Sequence, residues 1–231
     1  MRNLAIIPAR SGSKGLKDKN IKLLNGRPLL KYSIDAAISS NLFDEIMVST
    51  DSTIYADIAK AAGASVPVLR SVGNSGDKAS SSDVIIEVLN YYKKVSKEFD
   101  TFCLLQPTSP LRKAEDIIGA YELFNRKNAK AVVGVCEVEH TPLWCNVLNE
   151  DCSLENFLPV EATGQRQSYK QYYRINGAIY IANIPQYLED NNLYVKNCYA
   201  YIMDKKNSVD IDTIDDFEYA EYLMLKDNNQ N

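Results

Sequence analysis

The feature that most restricts the fold is residues 3–20, NLAIIPARSGSKGLKDKN, where a short apolar run stands directly against a glycine-bearing loop with Arg10, Lys14, Lys17 and Lys19. An uninterrupted run such as Asn3–Ile7 suits a strand buried on both faces, and Pro8 ends its ladder by removing a backbone donor. Gly12 and Gly15 let the next residues turn so that amide N–H groups, with Ser11 and the cations among them, face an anion. A polyphosphate suits such a loop. It follows neither GxxxxGK[ST] nor GxGxxG, and taken alone it reads equally as a solvated basic loop beyond a strand.

The charge balance decides how far that basic character extends. A formal net charge of −4 over 231 residues argues against a nucleic-acid binder, so the early cations belong to a local pocket. This length predicts one domain, 1–231. Five cysteines without a CxxC pair support neither a zinc site nor a disulfide framework. The first apolar run is too short for a signal peptide, and no stretch is long enough to span a bilayer. The expectation is a cytoplasmic protein with no membrane partner.

Beyond the loop the chain alternates between strand and helix patterns. A helix opens at Pro28 with Leu30, Ile34, Ala37 and Ile38 on one face. Glu45–Thr50 reads as a strand, Ile54–Ala62 as a helix and Ser65–Leu69 as a third strand, which places Arg70 at a carboxyl end where open parallel sheets hold ligands. Ser80–Ser82 suit the cap of an amphipathic helix over Val84–Val95, and a helix N-terminus can also serve a ligand oxygen, so Ser81 stays open between the two roles. Thr101–Leu105 runs into Gln106-Pro-Thr-Ser-Pro110, a loop stiffened by two prolines and suited to orient a polar ligand through Gln106, Thr108 and Ser109. A helix through Ile117 and Phe124 follows, then the strand Ala131–Val135.

From Cys136 to Tyr173 the periodicity fades while aromatic residues gather, among them Trp144, Tyr169, Tyr172 and Tyr173. Such an excursion suits a partner-binding arm, and a homodimer is expected through it. His140, the single histidine, has neither a carboxylate nor a nucleophile at telling spacing. Arg166 and Arg174 flank the start of the strand Gly177–Ala182 and have the planar forks that suit a carboxylate, or are surface arginines.

Asp210 and Asp212 alternate within Ser208–Thr213, so an extended chain projects both carboxylates from one face. A divalent cation relieves their repulsion, and Mg²⁺ binds one or two carboxylates together with substrate phosphates. Asp212 or Thr213 can equally cap the helix that follows.

Together these stretches resemble the nucleotide-activated nonulosonate synthetases, the cytidylyltransferases that make CMP-sialic acid and its bacterial relatives. The resemblance rests on IPARSGSKGLKDKN at 7–20, STD at 49–51, LR at 69–70, DKASS at 77–81, LLQPTSPLR at 104–112, RINGAIY at 174–180 and DIDT at 210–213. It implies an α/β, Rossmann-like three-layer αβα fold with a mostly parallel sheet, of the nucleotidyltransferase and glycosyltransferase-A kind, and a dimerisation extension over 136–175. It also implies CTP and a nine-carbon 2-keto-3-deoxy sugar acid as substrates, with Mg²⁺ or Mn²⁺ as cofactor.

Residue by residue, the resemblance assigns catalysis to Arg10, Lys14, Lys19 and Asp212. Arg10, Ser11, Gly12, Asn20, Arg70, Ala79 and Ser81 fall to the nucleotide, Gln106, Arg166, Arg174 and Tyr180 to the sugar acid, and Asp210 and Asp212 to the metal. Trp144 stands where relatives acting on the common sialic acid tend to carry lysine, which leaves legionaminate-like sugars open. The alternatives are activation of 3-deoxy-octulosonate or pseudaminate by the same chemistry, or a non-catalytic nucleotide-sugar binding protein.

Overall fold

The computed structural model describes residues 1–13, 15–159 and 170–228. Its elements, in chain order, begin with β1 (Asn3–Pro8), the hairpin strands β2 (Leu23–Leu24) and β3 (Arg27–Pro28), α1 (Leu29–Ser40), β4 (Glu45–Ser49) and α2 (Thr53–Ala61). They continue with α3 (Ser81–Lys94), β5 (Thr101–Leu104), α4 (Ala114–Arg126), β6 (Ala131–Glu137), β7 (Tyr173–Asn183), α5 (Ile184–Asp190), β8 (Cys198–Ile202) and α6 (Ile214–Asn228).

β1 explains the architecture. Leu4 and Ile6 point to one side of the sheet and pack with Ile85, Val88 and Leu89 of α3 and with Tyr187 of α5. Ala5 and Ile7 point to the other, against Leu30 and Ile34 of α1, Ala56 and Ala59 of α2, and Ile117 and Phe124 of α4. All four strand residues are fully buried, so neither face tolerates a polar side chain and the run is continuous rather than alternating. Each such aliphatic side chain contributes about 1.5–3 kcal/mol by leaving water. Helices on both faces make the three-layer αβα fold.

The sheet has six strands in the order β4-β1-β5-β7-β6-β8. The pairs β1 with β4, β1 with β5 and β6 with β8 are parallel, whereas β7 runs antiparallel to both neighbours. The expected βαβ rhythm therefore holds for the first half of the chain and is broken by β7. The expected strand at Ser65–Leu69 shrinks to one bridge between Ser65 and Met47. Pro67 has no N–H to continue the ladder, and Val68 and Leu69 are exposed. Neither β8 nor the β2–β3 hairpin was anticipated.

Between Val133 and Val135 the pairing of β6 with β7 shifts register. Residues 176–179 of β7 stand opposite Gly134 alone, a bulge centred on Gly177, whose φ is +75°. Asn176 stabilises it from inside: its Oδ1 accepts from the Ala178 N–H at 3.1 Å and its Nδ2 donates to Ser208 Oγ at 2.9 Å. The sheet claims Cys136 and Glu137, paired with Arg174 and Tyr173, so the excursion leaves it only after Glu137. Apart from a 3-10 turn at Pro142–Trp144 the chain is irregular within 138–159, with Trp144, Val147, Leu148 and Leu154 exposed.

Candidate active site

A cavity of about 560 Å³ opens where β1 and β5 end, between the basic loop, the start of α3 and the extended segment before α6. Among the anticipated residues, Arg10, Lys19, Asn20, Arg70, Ala79, Ser81, Gln106, Asp210 and Asp212 line it.

The basic loop is held by groups that lie outside it. The Ser11 N–H and hydroxyl both donate to the Asp51 carboxylate at 2.8 Å, just past β4. Burial alone would raise the Asp51 carboxyl, but those bonds and the nearby Arg70 charge outweigh it and hold the group below the usual carboxylate value. Asn20 is buried and donates to the Arg10 carbonyl at 3.0 Å, so it shapes the loop as well as facing the cavity. Gly15 is required by close approach: a Cβ there would stand 2.8 Å from the Asp212 carbonyl oxygen. Ser11 and Gly12 do not line the cavity, and Lys14 lies outside the described residues.

Two residues expected at the nucleotide are partly engaged with the protein. Arg10 pairs with Asp77 at 3.0 Å. Arg70 is buried, with Nε donating to Ser49 Oγ at 3.0 Å and Nη2 to the Ser49 carbonyl, and burial lowers its pKa. Its position does not derive from a third strand. It comes from the Arg70 N–H bonding the Thr50 carbonyl at 2.8 Å.

The helix caps separate alternatives that the sequence left open. Ser80, not Ser81, is the N-cap of α3, with a reciprocal box to Asp83, which leaves Ser81 at the cavity wall. Before α6 the Asp216 carboxylate accepts from the Thr213 N–H and hydroxyl, each at 2.8 Å, and its own N–H donates back to Thr213 Oγ1 at 3.2 Å. Thr213 and Asp216 therefore cap that helix, and the Asp212 carboxylate projects elsewhere. It pairs with Lys19 at 3.1 Å, while Lys19 Nζ also donates to the Ile211 carbonyl at 2.6 Å.

Asp210 lies deeper. Burial raises its pKa and the like charge of Asp212 adds to the rise, opposed by a hydrogen bond from Thr108 and by the charges of Lys19 and Arg174. The Ile211 N–H bonds the Thr108 carbonyl at 2.8 Å, which ties the acidic segment to the proline-flanked loop. Among the described residues no group of three or more His, Cys, Asp or Glu side chains gathers as a metal cage. The two carboxylates of Asp210 and Asp212, in one cavity with Arg10 and Lys19, are nonetheless a donor set that fits Mg²⁺ or Mn²⁺, since such ions complete their shell with substrate oxygens and water.

Of the residues expected at the sugar acid, Gln106 alone lines this cavity. Arg174 is exposed and donates to the Ser208 carbonyl at 3.1 Å. Tyr180 is half-buried in β7, and burial pushes its phenol up to about 12. Arg166 lies outside the described residues. Sequence reasoning missed Asp77 as the partner of Arg10 and Thr108 as the partner of Asp210, because neither pairing has a spacing that a sequence displays.

Residues 4–231 match a family model described as cytidylyltransferase. The chain is 41% identical over 219 residues to an N-acylneuraminate cytidylyltransferase of Streptococcus agalactiae, a match covering 94% of this chain and 52% of that one. It is 39% identical over 228 residues to a CMP-N,N'-diacetyllegionaminic acid synthase of Legionella pneumophila, covering 97% of each. The chain thus spans about half the length of the S. agalactiae relatives it matches. In fold it is similar to CMP:2-keto-3-deoxy-manno-octonic acid synthetase complexed with CTP, at a TM-score of 0.75 and 16% identity, covering 98% of this chain and 100% of that one.

Proposed function

Because this chain belongs to the cytidylyltransferase family, we propose that it transfers CMP from CTP to the anomeric hydroxyl of a nine-carbon 2-keto-3-deoxy sugar acid, releasing pyrophosphate. The observation that carries this reading is the contact between Lys19 and the 211–212 segment, which brings cations suited to a triphosphate and carboxylates suited to its metal into one cavity.

The sugar hydroxyl attacks the α-phosphorus in line, a new P–O bond forms as the bond to the β-phosphate oxygen breaks, and pyrophosphate leaves with that electron pair. The hydroxyl proton passes to a base, either a carboxylate or a water. No protein nucleophile is needed, so the chain contributes position and charge. Arg10 exchanges Asp77 for a phosphate oxygen, Lys19 adds charge beside it, and Lys14 is assigned to the same phosphates. Asp210 and Asp212 would hold Mg²⁺ or Mn²⁺, which when bound withdraws negative charge from phosphate oxygens. Gln106, Arg166, Arg174 and Tyr180 are assigned to the sugar acid, the last two flanking Gly177 along β7.

The sugar is of the sialic or legionaminic type. Trp144, a bulky apolar ring in place of an ammonium, favours the legionaminic. Pyrophosphate release measured with several nucleoside triphosphates against a panel of sugar acids, with magnesium and with chelator, tests the whole reading. The expected result is release with CTP alone, abolished by chelation. Binding of CTP without release for any acid would reduce the protein to a nucleotide-sugar binder.

A further inference from the structure

Behind the cavity wall lies a guanidinium that the reaction does not touch. Arg112, just before α4, is 3% exposed and takes part in none of the ion pairs found among the described residues. Asp116 acts on it only through space, and burial lowers its pKa to about 10, which leaves it charged at neutral pH.

Its fork joins three elements. Nη1 donates to the Gln106 carbonyl at 3.2 Å and to the Ala178 carbonyl at 2.9 Å, and Nη2 donates to Ser33 Oγ of α1. Ser33 Oγ in turn donates to the same Gln106 carbonyl at 3.2 Å. Nε finds no partner among the described residues, and the only other buried side-chain polar atom in that state there is Ser109 Oγ, 3.6 Å from where a Cβ on Gly177 would stand. An apolar residue would fill the space without burying an unpaired charge. What it would lack is a rigid fork able to hold two carbonyls and a hydroxyl together.

One carbonyl belongs to Gln106, which lines the cavity, and the other to Ala178, in the bulge of β7. Gln106 Oε1 reaches across to the bulge, where a Cβ on Gly177 would stand 2.7 Å from it and 3.5 Å from Asp210 Oδ2. We propose that Arg112 is a positioning residue whose fork clamps the Gln106 backbone against the β7 bulge, so that the Gln106 carboxamide meets the sugar acid in one orientation beside Asp210. This inference rests on the function proposed above and adds to it a residue outside the cavity.

Steady-state kinetics of Arg112→Met, Ser33→Ala, Gln106→Ala and the two doubles with Gln106→Ala test it. Arg112→Met should lower kcat/KM for the sugar acid by about a hundredfold, as a misplaced contact does. The KM for CTP should move by less than about twofold. Ser33→Ala opens the same clamp while leaving the charge in place and should act in the same direction. Each double should lose little beyond Gln106→Ala alone, because the clamp works through that side chain. Additive losses, or full sugar-acid kinetics in both single variants, would overturn the proposal while leaving the cytidylyl reaction standing. Amide hydrogen exchange over residues 105–109 reads the clamp without turnover and should be faster in Ser33→Ala. Unchanged exchange overturns the clamp even for a protein that releases no pyrophosphate, whereas lack of release ends only the functional reading.

Discussion

Arg10 and Lys19 enter the same cavity under different constraints. Arg10 is half-exposed and its ion pair with Asp77 is of the kind that adds little stability, so it is free to exchange partners. Arg10→Ala should therefore keep the fold, judged by far-UV circular dichroism, while lowering kcat by about 10²–10³-fold. Near-normal turnover would remove the basic loop from the phosphate site. Asp212 presents the complementary case, since Thr213 and Asp216 cap α6 without it. Asp212→Asn should raise the magnesium concentration for half-maximal activity by at least about tenfold with the melting temperature little changed. An unaltered magnesium titration would confine Asp212 to pairing with Lys19.

At the scale of the element, the bulge of β7 and the anchor of the basic loop are where local geometry sets the site. Gly177 combines a φ of +75° with a Cβ position only 2.7 Å from Gln106 Oε1. Gly177→Ala should cost about 1–3 kcal/mol in urea unfolding from backbone strain and also raise the KM for the sugar acid; a variant with unchanged midpoint and KM would show that the bulge relaxes freely. Asp51 joins the end of β4 to the loop after β1 through Ser11. Its carboxyl sits below the ordinary value, so its stabilisation is present above an unfolded pKa of about 3.9 and is lost as pH falls through the lower folded value. Asp51→Asn should be less stable than the parent at pH 7, with the gap narrowing near pH 3. A gap independent of pH would mean that the Ser11 bonds do not depend on the charge.

At the scale of the molecule, Val147, Leu148, Leu154 and Leu158 are exposed within 138–159, and the 136–175 excursion is proposed as the surface of a homodimer. Sedimentation should give a dimer at micromolar concentration, shifted toward monomer by Val147→Asp with Leu148→Asp. A monomer in the parent protein would leave that surface for another partner. No helix among the described residues is long and apolar enough to cross a membrane.

What the sequence by itself determined was whatever depends on near neighbours. The continuous apolar run of β1 demanded burial on both faces, the glycines and cations after it demanded a turning, cationic loop, and the alternation of Asp210 and Asp212 placed two carboxylates on one side of an extended chain. Local chemistry could not choose between Ser80 and Ser81 or between Asp212 and Thr213 as caps, because each is competent and only the surrounding contacts select one. The antiparallel course of β7, the shrinking of the Ser65 strand, and the pairs Arg10 with Asp77 and Lys19 with Asp212 were decided by tertiary structure alone. Each joins residues whose separation along the chain carries no periodic signal, so their meeting follows from the packed sheet that brings its carboxyl-end loops together.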